Sequence, residues 1–174
     1  AQGAITLRAD RSYLITGGLG GLCLRVAEWL ARQGAGQLIL LGRSGATSPQ
    51  QQAAVAALQA QGARVTVAAA DVSDRAALAA VVHEVAASPL PLRGVIHAAG
   101  VLDDGILLHQ TPARVRQVMA PKALGAAHLD ALTRTAPLDF FVLYASAAGL
   151  IGAPGQGNYA AANTFLDGLA QQRR

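Results

Sequence analysis

Tyr13-Leu14-Ile15-Thr16-Gly17-Gly18-Leu19-Gly20-Gly21-Leu22-Cys23 passes from an apolar segment through a cluster of glycines into helix-forming residues. A strand, a glycine turn and a helix in that order aim backbone N–H groups at one point, at the positive end of the helix dipole, where a phosphate can be held. Gly18, Gly20 and Cys23 stand at the GxGxxG spacing, with Cys where Gly or Ala is usual for close packing of helix on strand. The stretch therefore points to a dinucleotide site on an α/β sheet, with Thr16, Gly17, Gly18, Leu19, Gly20, Gly21 and Leu22 as its candidate phosphate turn.

The rest of the chain repeats this alternation. Residues 12–16, 37–41, 64–69, 94–98 and 139–145 read as short strands without polar alternation, as expected for strands buried on both faces of a parallel sheet. Between them, residues 21–33, 49–61, 74–87 and 112–133 are rich in Ala, Leu, Gln and Arg and long enough for helices. Gly34 and Gly62 can close helices, Ser48-Pro49 and Thr111-Pro112 offer an N-cap followed by Pro, and Ser73 can cap the helix that follows it. Pro121 is expected to end or kink its segment just before Lys122. The fold class is α/β, a Rossmann-like doubly wound parallel sheet with right-handed crossovers, in one domain over residues 1–174. Such folds usually have six or more strands, so the domain is expected to be truncated on its C-terminal side, with the last strands and a substrate lid beyond Arg174.

Composition removes several function classes. The chain is 52% hydrophobic and 14% charged, which suits a folded domain. No apolar run approaches the length that spans a bilayer, and residues 1–10 lack a basic flank followed by an apolar segment, so neither insertion nor secretion is indicated. A single Cys suits a reducing compartment, and the cytoplasm is the expected location. The net charge of +4 comes from scattered arginines with 4% aromatic residues, which argues against nucleic acid and suits an acidic protein partner. His83, His97, His109 and His128 show no metal-ligand spacing, so no metal is expected. GxSxG is absent, which removes that route to serine hydrolysis, and Trp29 and Met119 read as packing residues.

The remaining motifs bear on chemistry. The second strand ends in Leu41-Gly42-Arg43-Ser44-Gly45, without the carboxylate that would hold an NAD ribose. Arg43 can instead make charge-assisted bonds to a 2′-phosphate, with Ser44 adding a hydroxyl, which favours NADPH. Asp71-Val72 follows the third strand, where Asp71 could meet the adenine amino group or serve as an ordinary turn residue. His97-Ala98-Ala99-Gly100 ends the fourth strand with small residues against which a cofactor could lie. Tyr159 and Asn163 stand one helical turn apart, downstream of Ser146. A phenol with a free pKa near 10 is a poor acid at neutral pH, so a proton-donating Tyr needs a hydroxyl beside it and a cation nearby, which Ser146 and Lys122 could supply.

TGGLGGLC at 16–23, GRSG at 42–45, DVSD at 71–74, GVIHAAGVLDDG at 94–105, PKALGAAHL at 121–129, YASAAG at 144–149 and GQGNYAAAN at 155–163 together resemble the short-chain dehydrogenase/reductase superfamily. Within it, they are most similar to the ketoreductase domains of modular polyketide synthases. In most of the superfamily a Lys lies four residues after the Tyr; here Asn163 is there and Lys122 sits in the preceding long helix, the exchange that marks these ketoreductases. The resemblance implies Tyr159 as proton donor, Ser146 orienting the substrate carbonyl, Lys122 contacting the nicotinamide ribose and favouring tyrosinate, and Asn163 ordering the network. It implies NADPH as cofactor, a β-ketoacyl chain on an acyl carrier protein as substrate, and other polyketide synthase domains as neighbours. Leu102-Asp103-Asp104 is similar to the LDD motif that accompanies B-type reduction in this family. Ile151 stands where a Trp marks the A-type, and Ala161 where a Pro marks α-epimerising B-type enzymes. A non-catalytic dinucleotide-fold scaffold within a synthase, or a stand-alone reductase of free ketones, are the alternatives; four intact site residues argue against the first, and the Lys and Asn exchange against the second.

Overall fold

The computed structural model describes residues 6–174; residues 1–5, half of the segment read above for a leader, lie outside the described residues. Five strands, β1 (Ser12–Thr16), β2 (Gln37–Gly42), β3 (Arg64–Ala69), β4 (Leu92–His97) and β5 (Phe140–Leu143), form one parallel sheet in the order β3-β2-β1-β4-β5. The helices are α1 (Gly21–Arg32), α2 (Pro49–Ala60), α3 (Arg75–Ala86), α4 (Pro112–Met119), α5 (Gly125–Leu132), α6 (Ala148–Ile151) and α7 (Gly157–Arg173). The chain builds outward from β1 through β2 to β3, then crosses to β4 on the other side of β1. Thr16 pairs in register with both Leu41 and His97, so the carboxyl ends of three strands open together at this switch, the place where doubly wound sheets bind ligands.

Period-two alternation along the inner strands feeds two cores. Tyr13, Ile15, Leu38 and Leu40 pack with Cys23, Ala27 and Leu30 of α1 and Leu58 of α2. Leu14, Ile39, Leu41 and Val95 pack on the opposite face with Leu78 and Val82 of α3 and Leu129 of α5. Burial on both faces holds for the inner strands β1, β2 and β4; the outer β3 and β5 have exposed and half-buried residues because each lies at the rim, with a neighbour on one side only. β5 is also shorter than its expected span of 139–145.

Three local expectations change. Asp74, not Ser73, caps α3, its carboxylate accepting from the Ala76 and Ala77 N–H groups, while Ser73 donates to Asp71. Trp29 is 57% exposed, because α1 buries Cys23, Ala27 and Leu30, a stripe that excludes position 29. The segment around Pro121 neither ends nor simply kinks. α4 runs into a π turn, Ala120–Leu124, and then into α5, since Pro121 has no N–H for the regular α bond and the wider turn accommodates it.

Candidate active site

Two adjoining hollows follow the carboxyl ends of β1, β2 and β4, sharing Gly17, Gly42, Arg43, Ala99 and Gly100. The larger, about 380 Å³, is also lined by Leu19, Gly20, Ser44 and Ala98; the smaller, about 120 Å³, by Asp71, Val72, Val101 and Pro121. Gly17 has a φ of +68°, and a Cβ there would stand 3.0 Å from the Ala98 carbonyl, so glycine lets the turn lie against the HAAG segment. Gly18 is buried for a different reason: a Cβ on it would meet the Ile15 carbonyl oxygen at 2.6 Å and the Leu40 Cα at 2.9 Å.

The candidate cofactor residues thus separate by position. Gly17, Leu19, Gly20, Arg43, Ser44, Asp71, Val72, Ala98, Ala99 and Gly100 face the crevice. Thr16, Gly18 and His97 lie beneath its floor, and Gly21 and Leu22 sit at the exposed start of α1, outside both hollows. Asp71 makes the turn bond: its Oδ1 accepts from the Ser73 N–H at 2.8 Å and hydroxyl at 2.7 Å, and these bonds, with Arg43 adding to them, hold its carboxyl below the usual range. Cys23 is buried in the core, and burial pushes its thiol up, so the third position of the fingerprint serves packing.

Lys122, whose Nζ would stand 3.9 Å from a Cβ on Gly100 at the crevice wall, meets Tyr159 of α7, and Asn163 follows one turn along the same helix. Lys122, the only lysine in the sequence, is 5% exposed in the π turn; its Nζ donates to the Tyr144 carbonyl at 2.8 Å and lies 5.3 Å from the Tyr159 ring centroid. Burial draws its ammonium below the ordinary lysine range. Asn163 Nδ2 donates to the Tyr159 carbonyl at 2.7 Å within α7. Ser146 follows β5 and its Oγ accepts from the Ala148 N–H. The Ser146 turn is pressed onto α7 at Gly149, where a Cβ would be 3.1 Å from the Asn163 Cβ.

The Leu102-Asp103-Asp104 loop beside them is tightly tied. Arg114 on α4 binds the Asp103 carboxylate through Nε at 2.8 Å and a terminal nitrogen at 2.6 Å, and also the Asp104 carbonyl at 2.8 Å. From α7 and its approach, Asn158 donates to the Asp103 carbonyl at 2.9 Å and Gln156 to the Asp104 carboxylate at 2.9 Å. Arg114, Gln156 and Asn158 escaped the sequence reading; the nearest signal was an Asn directly before the Tyr, which by itself is an ordinary helix-start residue. Among the described residues, no group of three or more His, Cys, Asp or Glu stands where it could hold a metal, and no helix is long and apolar enough to cross a membrane.

The sequence and the fold have counterparts among known proteins. The chain is 48% identical over 167 residues to the mycoketide-CoA synthase of Mycobacterium tuberculosis, covering 95% of this chain and 4% of that protein. It is 48% identical over 162 residues to polyketide synthase GfsB of Streptomyces halstedii, covering 93% of this chain and 3% of the other. Among solved structures, an A-type ketoreductase from a modular polyketide synthase matches with a TM-score of 0.92 and 44% identity, over 98% of this chain and 35% of its own. A ketoreductase domain from the bacillaene assembly line matches with a TM-score of 0.93 and 37% identity, over 98% of this chain and 41% of its own. The chain thus spans a small part of the curated synthases and well under half of these solved chains. With the KR domain family matching residues 11–174, the chain belongs to that family, the ketoreductase domains of polyketide synthases, oxidoreductases of the short-chain dehydrogenase/reductase type that use a nicotinamide dinucleotide.

Proposed function

We propose that this chain performs the NADPH-dependent reduction of a β-ketoacyl thioester, presented by an acyl carrier protein within a cytoplasmic polyketide synthase, to the (D)-β-hydroxyacyl thioester. The observation that carries this reading is the buried Lys122, its ammonium 5.3 Å from the Tyr159 ring centroid, next to a crevice lined by the glycine turn. A bound nicotinamide would supply the hydride to the ketone carbon. The Tyr159 hydroxyl hands its proton to the ketone oxygen, so the carbonyl becomes an alcohol, and the Ser146 hydroxyl donates to the same oxygen as charge gathers on it. Lys122, buried and unable to find water easily, places its charge against the Tyr159 ring and favours the phenolate left after transfer. Asn163 holds the Tyr159 main chain through its carbonyl. NADPH oxidation followed at 340 nm with a β-ketoacyl thioester, measured on the full-length ketoreductase domain because residues 1–174 alone are expected to be inactive, tests the assignment; a full-length domain that neither binds nor oxidises NADPH would instead be a scaffold.

Cofactor choice rests on Arg43, the one basic side chain lining the two hollows. Arg43→Ala is expected to weaken NADPH by about 1 to 3 kcal/mol, the worth of a charge-assisted contact, and NADH far less. Equal losses in the two titrations would mean that Arg43 does not read the phosphate.

The stereochemical reading rests on the Leu102-Asp103-Asp104 loop, with Ile151 and Ala161 in place of the Trp and Pro markers. Arg114 and Asn158 fix that loop beside Tyr159, so one ketone face is presented to the hydride donor. A D-hydroxy product without α-epimerisation is expected on chiral chromatography; a predominantly L-hydroxy product would refute the B-type assignment and leave the reductase intact.

A further inference from the structure

His97 closes β4 with its imidazole wholly inside the protein, and both ring nitrogens are engaged: Nδ1 lies 2.7 Å from Thr16 Oγ1, and Nε2 lies 2.8 Å from the Lys122 carbonyl oxygen. A carbonyl oxygen only accepts, so Nε2 carries the proton, and Nδ1 takes its bond from the Thr16 hydroxyl. Burial chiefly, opposed by the bond to the Lys122 carbonyl and reinforced by the Lys122 charge, holds the imidazole down at about 4. Near neutral pH the ring is therefore one fixed, uncharged tautomer, and it has no proton to exchange with the crevice.

This ring forms one side of a closed circuit. His97 Nε2–H donates to the Lys122 carbonyl, Lys122 Nζ donates to the Tyr144 carbonyl at 2.8 Å, and the Tyr144 N–H donates back to the His97 carbonyl at 2.9 Å. The π turn makes the first of these contacts possible. There the Gly125 N–H reaches toward both the Ala120 and Lys122 carbonyls, and Gly125 has no Cβ, which would stand 3.3 Å from the His97 Cε1 and 2.8 Å from a Val72 methyl. The turn can therefore close directly on the imidazole. Lys122 is thus held by its main chain from the side of β4 and by its ammonium from the end of β5, with the Tyr159 ring 5.3 Å from Nζ.

We propose that His97 is a positioning residue: through the Lys122 main-chain carbonyl it sets the π turn, and so decides where the one lysine of the chain places its charge against Tyr159. The turnover part of the test rests on the reductase reading; the labelling part does not. His97→Leu fills the same space without a donor, whereas His97→Gln keeps an N–H for the Lys122 carbonyl and an oxygen for the Thr16 hydroxyl. Lys122 acetylation by acetic anhydride, located by peptide mass mapping, reads the position of this side chain whether or not the protein turns over. Lys122 should be acetylated several times faster in His97→Leu and at the wild-type rate in His97→Gln. In parallel, kcat should fall about tenfold or more in the first variant and recover in the second, as small displacements at a reacting centre do. Wild-type labelling in His97→Leu, or equal acceleration in both variants, would overturn the proposal. Absence of reductase turnover in the wild-type protein would instead strike the functional reading and leave the labelling result to decide this one. Should His97→Leu not fold, Thr16→Val, which removes only the hydroxyl that fixes Nδ1, carries the same labelling expectation.

Discussion

Replacing Tyr159 with Phe should lower kcat by at least about two orders of magnitude, the usual worth of a positioned general acid, while leaving NADPH affinity nearly unchanged. The variant loses a single oxygen. Asn163 bonds the main-chain carbonyl of residue 159, not its side chain, and the face that Lys122 meets at 5.3 Å is a ring that Phe retains. The helix and the ammonium therefore stay where they are, and the defect belongs to proton transfer. Steady-state kinetics with a β-ketoacyl thioester, alongside a fluorescence titration of NADPH, separates the two quantities. A Phe variant that turns over at the wild-type rate would show that the proton comes from elsewhere.

Gly18→Ala should destabilise the fold by about 1 to 3 kcal/mol, as overpacking a closed interior does, and should abolish dinucleotide binding with it. The added methyl would sit between the Ile15 carbonyl oxygen at 2.6 Å and the Leu40 Cα at 2.9 Å. Both are backbone atoms of paired inner strands, so neither can yield without parting β1 from β2. Gly21 provides the control within the same motif. It begins α1, a Cβ there meets nothing within 4 Å, and Ala is the better helix former, so Gly21→Ala should be neutral or slightly stabilising. Urea unfolding of the two variants measures the contrast. Equal stability would mean that Gly18 is needed for close approach to a phosphate and not for packing.

That contrast marks where reading the sequence stops. The glycine cluster announces a turn between strand and helix, but which glycine bends, which packs and which is free depends on β2, a segment some twenty residues away. The inner strands were legible because their apolar residues run together without polar alternation; the rim positions of β3 and β5 were not, since apolar composition does not say which strand ends a sheet. Lys122, Ser146, Tyr159 and Asn163 stand out as candidates through their residue types and the resemblance they support. Their supports were hidden. Arg114 is a helix arginine like several others until it meets Asp103, and His97 reads as a crevice residue until Thr16 and Lys122 enclose its ring. Trp29 failed for a related reason: an apolar helix segment does not reveal which of its sides faces the sheet, and here Cys23, Ala27 and Leu30 do.

The π turn at Ala120–Leu124 also limits how this site could be transplanted. A regular helix turns by about 100° for each residue, so it cannot absorb the extra residue that a π turn holds without rotating everything after it by roughly that amount. A lysine grafted by alignment into a reductase whose corresponding helix is regular would leave the backbone in a different direction from Lys122. Deleting one residue from this turn would similarly swing α5 around α4 and carry Gly125 away from His97. An engineer exchanging the lysine and asparagine between two such enzymes would have to move the turn, its proline and its glycine together with the side chain.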